Sequence, residues 1–239
     1  MTQSLIELRK REERISNAIF TLEKSRLFDL NSDFARFENN DFLAYLRDLS
    51  GNKEKLSVLE IGGGVQQVAA RELLNLFPNL YLTGIEMRQL DQEAKSDLQR
   101  TGRFTLLSKG FSQAQDDLKE RRFDVIYLHN VLQHLPSPFF MIEQCYRFLD
   151  DDGILFVNGI LIYEDEWRKI LEFLNRKGCK FFHKEGSVAS PLLKKGIISV
   201  SLSLRKNAEH DDLNLPLEEG DFLSDYEGNR LAVREIRFK

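Results

Sequence analysis

Three consecutive glycines, Gly62 to Gly64, sit inside the segment V-L-E-I-G-G-G-V-Q-Q-V-A-A at Val58 to Ala70. An apolar, partly β-branched run precedes them and a helix-compatible run follows, so they fall where a buried strand turns into a helix. Glycine at such a crossover permits a tight turn and lets a ligand lie directly on the backbone beside the helix N-terminus. Glu86 stands 22 residues after Gly64, at the end of the next apolar run. A carboxylate there can accept hydrogen bonds from the ribose hydroxyls of a nucleoside. The dinucleotide fingerprint G-x-G-x-x-G requires Gly or Ala where Gln67 stands, which argues against NAD or FAD. Taken alone, the turn also fits a glycine-rich bend that binds nothing.

The elements that must position these residues alternate along the chain. Short apolar runs predict strands at Ser57 to Ile61, Tyr81 to Glu86, Phe104 to Ser108, Phe123 to His129, Gly153 to Gly159, Lys180 to His183 and Ile197 to Leu204. Helical spacing predicts helices at Val65 to Leu76, Gln92 to Thr101, Ser112 to Arg121, Pro138 to Leu149 and Glu166 to Lys177. Ser137-Pro138 reads as a cap followed by a first-turn proline. Asp165 is placed to cap the last helix and Gly178 to end it, with Trp167 on its core face. Early strands apolar on both faces indicate a sheet covered by helices on each side. The expected fold is α/β, a doubly wound, mostly parallel seven-stranded sheet with an antiparallel last strand, preceded by N-terminal helices. Residues 1–52 form that preface, with amphipathic spacing over Ser4 to Leu22 and a second helix from Asp41 to Leu49 ending at Ser50-Gly51-Asn52. Residues 53–206 form the α/β domain, and residues 207–239 an acidic extension in which Gly228-Asn229 could turn a hairpin. The stretch from His183 to Gly196 reads as a loop.

Composition narrows the class. The 239 residues carry 34 basic and 38 acidic side chains, a net charge of −4, the opposite of the basic footprint of phosphate-backbone binding. A nucleic-acid partner is thereby disfavoured. Cys145 and Cys179 lack the spacing of a disulfide scaffold or a zinc site, which points to a reducing, cytoplasmic setting. The charged first residues do not read as a signal peptide, and the longest apolar stretch, Gly153 to Tyr163, is too short to span a bilayer. Arg9-Lys10-Arg11 and the acids Asp211, Asp212, Glu218, Glu219 and Asp221 read as solvated surface.

Four segments in order, V-L-E-I-G-G-G, G-I-E at Gly84 to Glu86, F-D-V-I-Y-L-H-N-V-L-Q-H-L at Phe123 to Leu135 and L-D-D-D-G-I-L-F-V at Leu149 to Val157, resemble the class I, Rossmann-like S-adenosylmethionine-dependent methyltransferases. The resemblance covers Ser57 to Leu204. It implies that Gly62, Gly63 and Gly64 pass under the methionine part of S-adenosylmethionine. It further implies that Glu60 helps hold the ammonium, Glu86 the ribose hydroxyls, and that Met87 packs on the adenine. Where the family often has an acid after the third strand, this chain has Phe111 and Ser112. The family's third glycine falls on Gln66.

His129 and Asn130 are then expected near the reacting methyl group. His129 is the candidate base, because an imidazole with an ordinary pKa of about 6.5 suits neutral pH; a cofactor contact and plain packing are the alternative readings of the same residue. His134 matches a family histidine and is given a structural role; Tyr163 and Glu164 lie near the same rim. His129 and His134 are five residues apart, the wrong spacing for two ligands on one helix face, so no metal is expected. The N-P-P-Y-type motif of exocyclic-amine methylation is absent at Asn130-Val131-Leu132-Gln133. The resemblance therefore implies methyl transfer to a small-molecule acceptor. The alternative is a catalytically inactive relative that kept the fold for binding, favoured by Gln66 and Phe111.

Overall fold

The computed structural model describes residues 42–129, 131, 138–187, 196–207, 212–215, 217–222 and 234–238. The predicted helix over Ser4 to Leu22, the Arg9-Lys10-Arg11 run, Asn130, His134, Ser137, Asp211 and Gly228-Asn229 lie outside these residues.

Seven strands form one sheet: β1 Leu56–Ile61, β2 Leu80–Ile85, β3 Phe104–Leu107, β4 Phe123–His129, β5 Leu149–Tyr163, β6 Lys180–Ser187 and β7 Ile197–Arg205. Their order is β3-β2-β1-β4-β5-β7-β6. The pairs β1–β2, β1–β4, β2–β3 and β4–β5 are parallel. Strand β7 runs antiparallel to both of its neighbours, as the sequence reading requires. Strands β1 and β4 are buried almost throughout, which explains their continuous apolar character. Successive strands are added outward from β1 in one direction through β2 and β3 and in the other from β4, so the carboxyl ends of the parallel β1 and β4 border the crevice where such sheets bind ligands.

Helices α1 Phe42–Asn52, α2 Val68–Leu76, α3 Gln92–Thr101, α4 Phe111–Leu118, α5 Pro138–Phe148 and α6 Glu164–Arg176 complete the layers. The sheet separates two cores, since successive residues of β1 and β4 fall in different ones. One gathers α1, α2 and α3 residues with Val58, Val125, Tyr127 and Phe156. The other gathers α4, α5 and α6 residues with Leu59, Ile126, Leu155 and Leu202. Phe42 joins α1 to the sheet edge-on, its ring centroid 5.3 Å from Tyr127 and 4.9 Å from Phe156. Trp167 is fully buried, as expected of a core residue, and its indole N–H donates to Glu185 at 3.0 Å.

Several boundaries differ from the sequence expectation, each for a local reason. Helix α1 continues through Ser50-Gly51 because the Asn79 side chain donates to the carbonyls of Ser50 and Lys53, at 3.0 and 2.8 Å, and satisfies its end. Helix α2 starts at Val68, because Gln67 adopts a left-handed conformation, φ 49°. Helix α6 starts at Glu164, so Asp165 lies in its first turn and not at the cap. Its other end is as predicted. Gly178 takes φ +67°, while Cys179 N–H bonds Leu174 O and Gly178 N–H bonds Asn175 O, both at 3.0 Å. His183 to Ser187, expected as loop, belongs to β6, because each residue there pairs with β7. Beyond the main sheet, β8 Leu217–Phe222 pairs antiparallel with β9 Arg234–Phe238.

Candidate functional site

The glycine turn leaves β1 with the backbone bent by Gly62 at φ +73° and Gly64 at φ +74°, a region that costs most side chains strain. Gly63 is required for a different reason. A Cβ there would lie 2.4 Å from Glu60 Oε2 and 2.6 Å from Gln67 Nε2. Two polar side chains thus converge beneath the turn. Gln67, fully buried, donates through Nε2 to Gly64 O at 2.7 Å and holds the turn closed from below.

Glu60 is 2% exposed, and its Oε2 has no hydrogen-bond partner among the described residues. Burial pushes its carboxyl up to about 7, with nearby Glu86 adding to the shift and Tyr127 opposing it. A buried carboxylate oxygen left unpaired under an open backbone turn is suited to a cation arriving from outside.

Glu86 follows β2 on the same rim. Its Oε2 accepts Gly64 N–H at 2.9 Å, and its Oε1 accepts Arg88 N–H at 3.0 Å and Arg88 Nε–H at 3.0 Å. Burial raises the Glu86 carboxyl, while the backbone N–H groups of Arg88, Gly64 and Met87 counteract the rise. Arg88 is the site residue that sequence reasoning missed; a basic residue two positions beyond the acid was the available signal. Met87 is half-buried beside it.

His129 ends β4 one residue beyond the Leu128 that pairs with Ile61, and thus stands level with Gly62. Val131 lies against the turn, since a Cβ on Gly62 would lie 2.4 Å from Val131 Cγ2. Nδ1 of His129 lies 3.0 Å from Asn158 Nδ2 on β5. Phe111 departs from the picture of an adenine contact. Its side chain is 3% exposed and packs on Phe148 at 6.4 Å between ring centroids, within the second core. Ser112 beside it is buried as well. Gln66 is exposed, so the residue that carries the unusual turn geometry is its neighbour Gln67.

A separate open groove of about 600 Å³ is lined by Cys179, Lys180, Phe182 and His183 at the far edge of the sheet. Strand β6 is four places from β1, so this groove is no part of the glycine-turn site. Among the described residues no cluster of three metal-ligating side chains occurs, and no helix is long and apolar enough to cross a membrane.

Residues 59–155, which span the turn, Glu86 and His129, match the family model described as a methyltransferase domain. The chain is 26% identical over 120 residues to a ubiquinone biosynthesis O-methyltransferase of Glaesserella parasuis serovar 5 (strain SH0165), covering 49% of this chain and 51% of that protein. It is also 26% identical over 137 residues to the protein of the same name from Histophilus somni (strain 2336), covering 56% and 58%. The aligned part thus spans about half the length of these curated relatives. Among solved structures, the plantazolicin methyltransferase BpumL, in complex with a pentazolic desmethylPZN analog and SAH, aligns with a TM-score of 0.52 and 14% identity. That alignment covers 87% of this chain and 100% of BpumL. A second BpumL complex, with a monoazolic analog and SAH, gives 0.52 and 15%, covering 85% and 98%.

Proposed function

We propose that this chain is a class I S-adenosylmethionine-dependent methyltransferase, a cytoplasmic enzyme that methylates a small-molecule acceptor. When bound, S-adenosylmethionine supplies an electrophilic methyl group for in-line displacement by a lone pair of the acceptor. The observation that carries the reading is the pair of buried carboxylates, Glu60 and Glu86, on either side of a turn open to backbone contact. Glu60 would take the ammonium with its unpaired oxygen. Glu86 accepts four hydrogen bonds from Gly64 and Arg88, and an ionised carboxylate has capacity for about four. A ribose hydroxyl would therefore displace the longest of them, from Arg88 Nη2 at 3.3 Å. Gly62, Gly63 and Gly64 would carry the methionine part, Met87 the adenine, and the α4 start at Phe111 and Ser112 would contribute backbone to the same rim. His129 and Asn130 would border the acceptor.

Holding two reactants in line can by itself supply about 7–11 kcal/mol of the barrier. The principal task of these residues is accordingly positioning. The curated relatives support oxygen as the first acceptor atom to test.

A second reading is favoured by Arg88, whose guanidinium already neutralises Glu86: a binding module without turnover. Calorimetric titration with S-adenosylmethionine, S-adenosylhomocysteine and NAD, followed by an acceptor screen over hydroxylated aromatics and carboxylic acids, separates the two. The enzyme is expected to bind the first two saturably, ignore NAD and release S-adenosylhomocysteine with at least one acceptor. Binding without turnover selects the module, and no binding of either sulfur compound overturns both.

A further inference from the structure

Four strands contribute one polar row to a single face of the sheet. His129 on β4 pairs in register with Asn158 on β5, Asn158 with Ser201 on β7, and Ser201 with Lys184 on β6. Residues directly opposite one another in paired strands share a face. The neighbouring row, Tyr127, Phe156, Ser203 and Phe182, follows from the same registers and is mostly aromatic. The polar row ends at an irregularity. Beyond Asn158 the β5–β7 register shifts, with Gly159 as the extra residue, the kind of bulge that re-aims side chains beside functional sites.

Two hydrogen bonds join the first three members of the row. Ser201 Oγ donates to Asn158 Oδ1 at 2.7 Å, and Asn158 Nδ2 faces His129 Nδ1 at 3.0 Å. The serine hydroxyl takes the carbonyl end of the amide, which turns the amino end toward the imidazole. An amide NH₂ can only donate, so Nδ1 must offer its lone pair, and the proton of a neutral ring must sit on Nε2. A ring fixed in that form is a hydrogen-bond donor. To take up a proton it would have to give up its bond to Asn158.

We propose that Ser201 and Asn158 are positioning residues that lock His129 as the Nε2–H tautomer, so that the site presents a donor and not a general base. The consequence for substrate class rests on the methyltransferase reading. An acceptor served by a donor must bring its lone pair with it, as a carboxylic acid or an acidic phenol does once ionised. Lys184, at the far end of the row, adds positive charge to the same face.

The test is two-bond ¹H–¹⁵N NMR of the imidazoles in the full chain at about pH 8.5, roughly two units above an ordinary histidine pKa. The chain has four histidines, and the His129 signals are assigned by their loss in His129→Gln. The expected spectrum shows the proton on Nε2. Asn158→Asp is expected to reverse it, because a carboxylate accepts Nδ1–H, and Ser201→Ala to yield a mixture of tautomers. A wild-type ring protonated on Nδ1 overturns the proposal, as does a tautomer unchanged in a folded Asn158→Asp protein. In turnover, Ser201→Ala should lower kcat severalfold and leave KM for S-adenosylmethionine unchanged; a rise confined to that KM would overturn the positioning role. The tautomer is read without cofactor or acceptor. A protein that neither binds nor turns over S-adenosylmethionine would sink the proposed function and leave this measurement standing.

Discussion

Glu86 accepts the backbone N–H of Gly64 at 2.9 Å, so the acid that follows β2 is also a strut of the turn that follows β1. One side chain thereby serves two elements, and its removal is felt in both. Glu86→Ala leaves the Gly64 N–H without its partner, at about 1–3 kcal/mol for a buried donor, and deletes the proposed ribose contact. S-adenosylhomocysteine affinity measured by calorimetry should fall tenfold or more, and the melting temperature should drop. Unchanged affinity would remove Glu86 from the ligand site.

Gly63 is tested by size. Alanine there meets Glu60 Oε2 at 2.4 Å and Gln67 Nε2 at 2.6 Å, and overpacking of this kind costs roughly 1–3 kcal/mol. Gly63→Ala should lose cofactor binding and lower the urea midpoint. Gly51→Ala is the control. Gly51 lies in α1 with no described residue within 4 Å of a new Cβ, so helix propensity should raise stability by about 0.5–1 kcal/mol.

The buried Glu60 carboxyl gives a pH dependence of definite sign. Burial pushes it up to about 7 from 4.5, so between those values the folded protein holds a proton that the unfolded chain has released. Stability from this group is therefore greatest below the window, declines as pH rises through it, and is level above about 7. The decline is on the order of 3 kcal/mol, at 1.36 kcal/mol per pKa unit. Glu60→Gln should abolish that part of the slope in urea titrations at pH values on either side of the window. A variant profile parallel to the wild type would contradict the assignment.

Arg103, the residue before β3, closes the end of α2. Its Nη1 donates to Phe77 O and Leu80 O, at 2.8 and 3.0 Å, and its Nη2 to Leu74 O at 2.7 Å. These are carbonyls at and beyond the end of the helix, where no intrahelical donor follows. Arg103→Ala should cost about 2–3 kcal/mol by denaturant unfolding, as expected for bonds to a charged donor. Arg103→Lys should recover less than half, because an ammonium cannot reproduce the planar fork.

What the sequence determined by itself is the part of this protein that depends on short-range pattern. Alternating apolar runs and helical spacing specified seven strands and the helices between them, because strands buried on both faces admit few polar residues. Gly178 marked a helix end because left-handed backbone favours glycine. Glu60, the three glycines and Glu86 stand out as candidates because each lies within a few residues of a strand end. The tertiary structure decided what depends on partners distant in sequence. Asn79 extends α1 across 26 to 29 residues, the pairing with β7 turns His183 to Ser187 into strand, and packing against Phe148 places the Phe111 side chain in the second core. The state of His129 is the clearest case. Its own position identified a histidine at a strand end, but the donor that reaches its Nδ1 comes from 29 residues away and is oriented by a hydroxyl 43 residues beyond that. Local propensity acts over a few residues, whereas the direction of a hydrogen bond is fixed only when the sheet has aligned its strands in register.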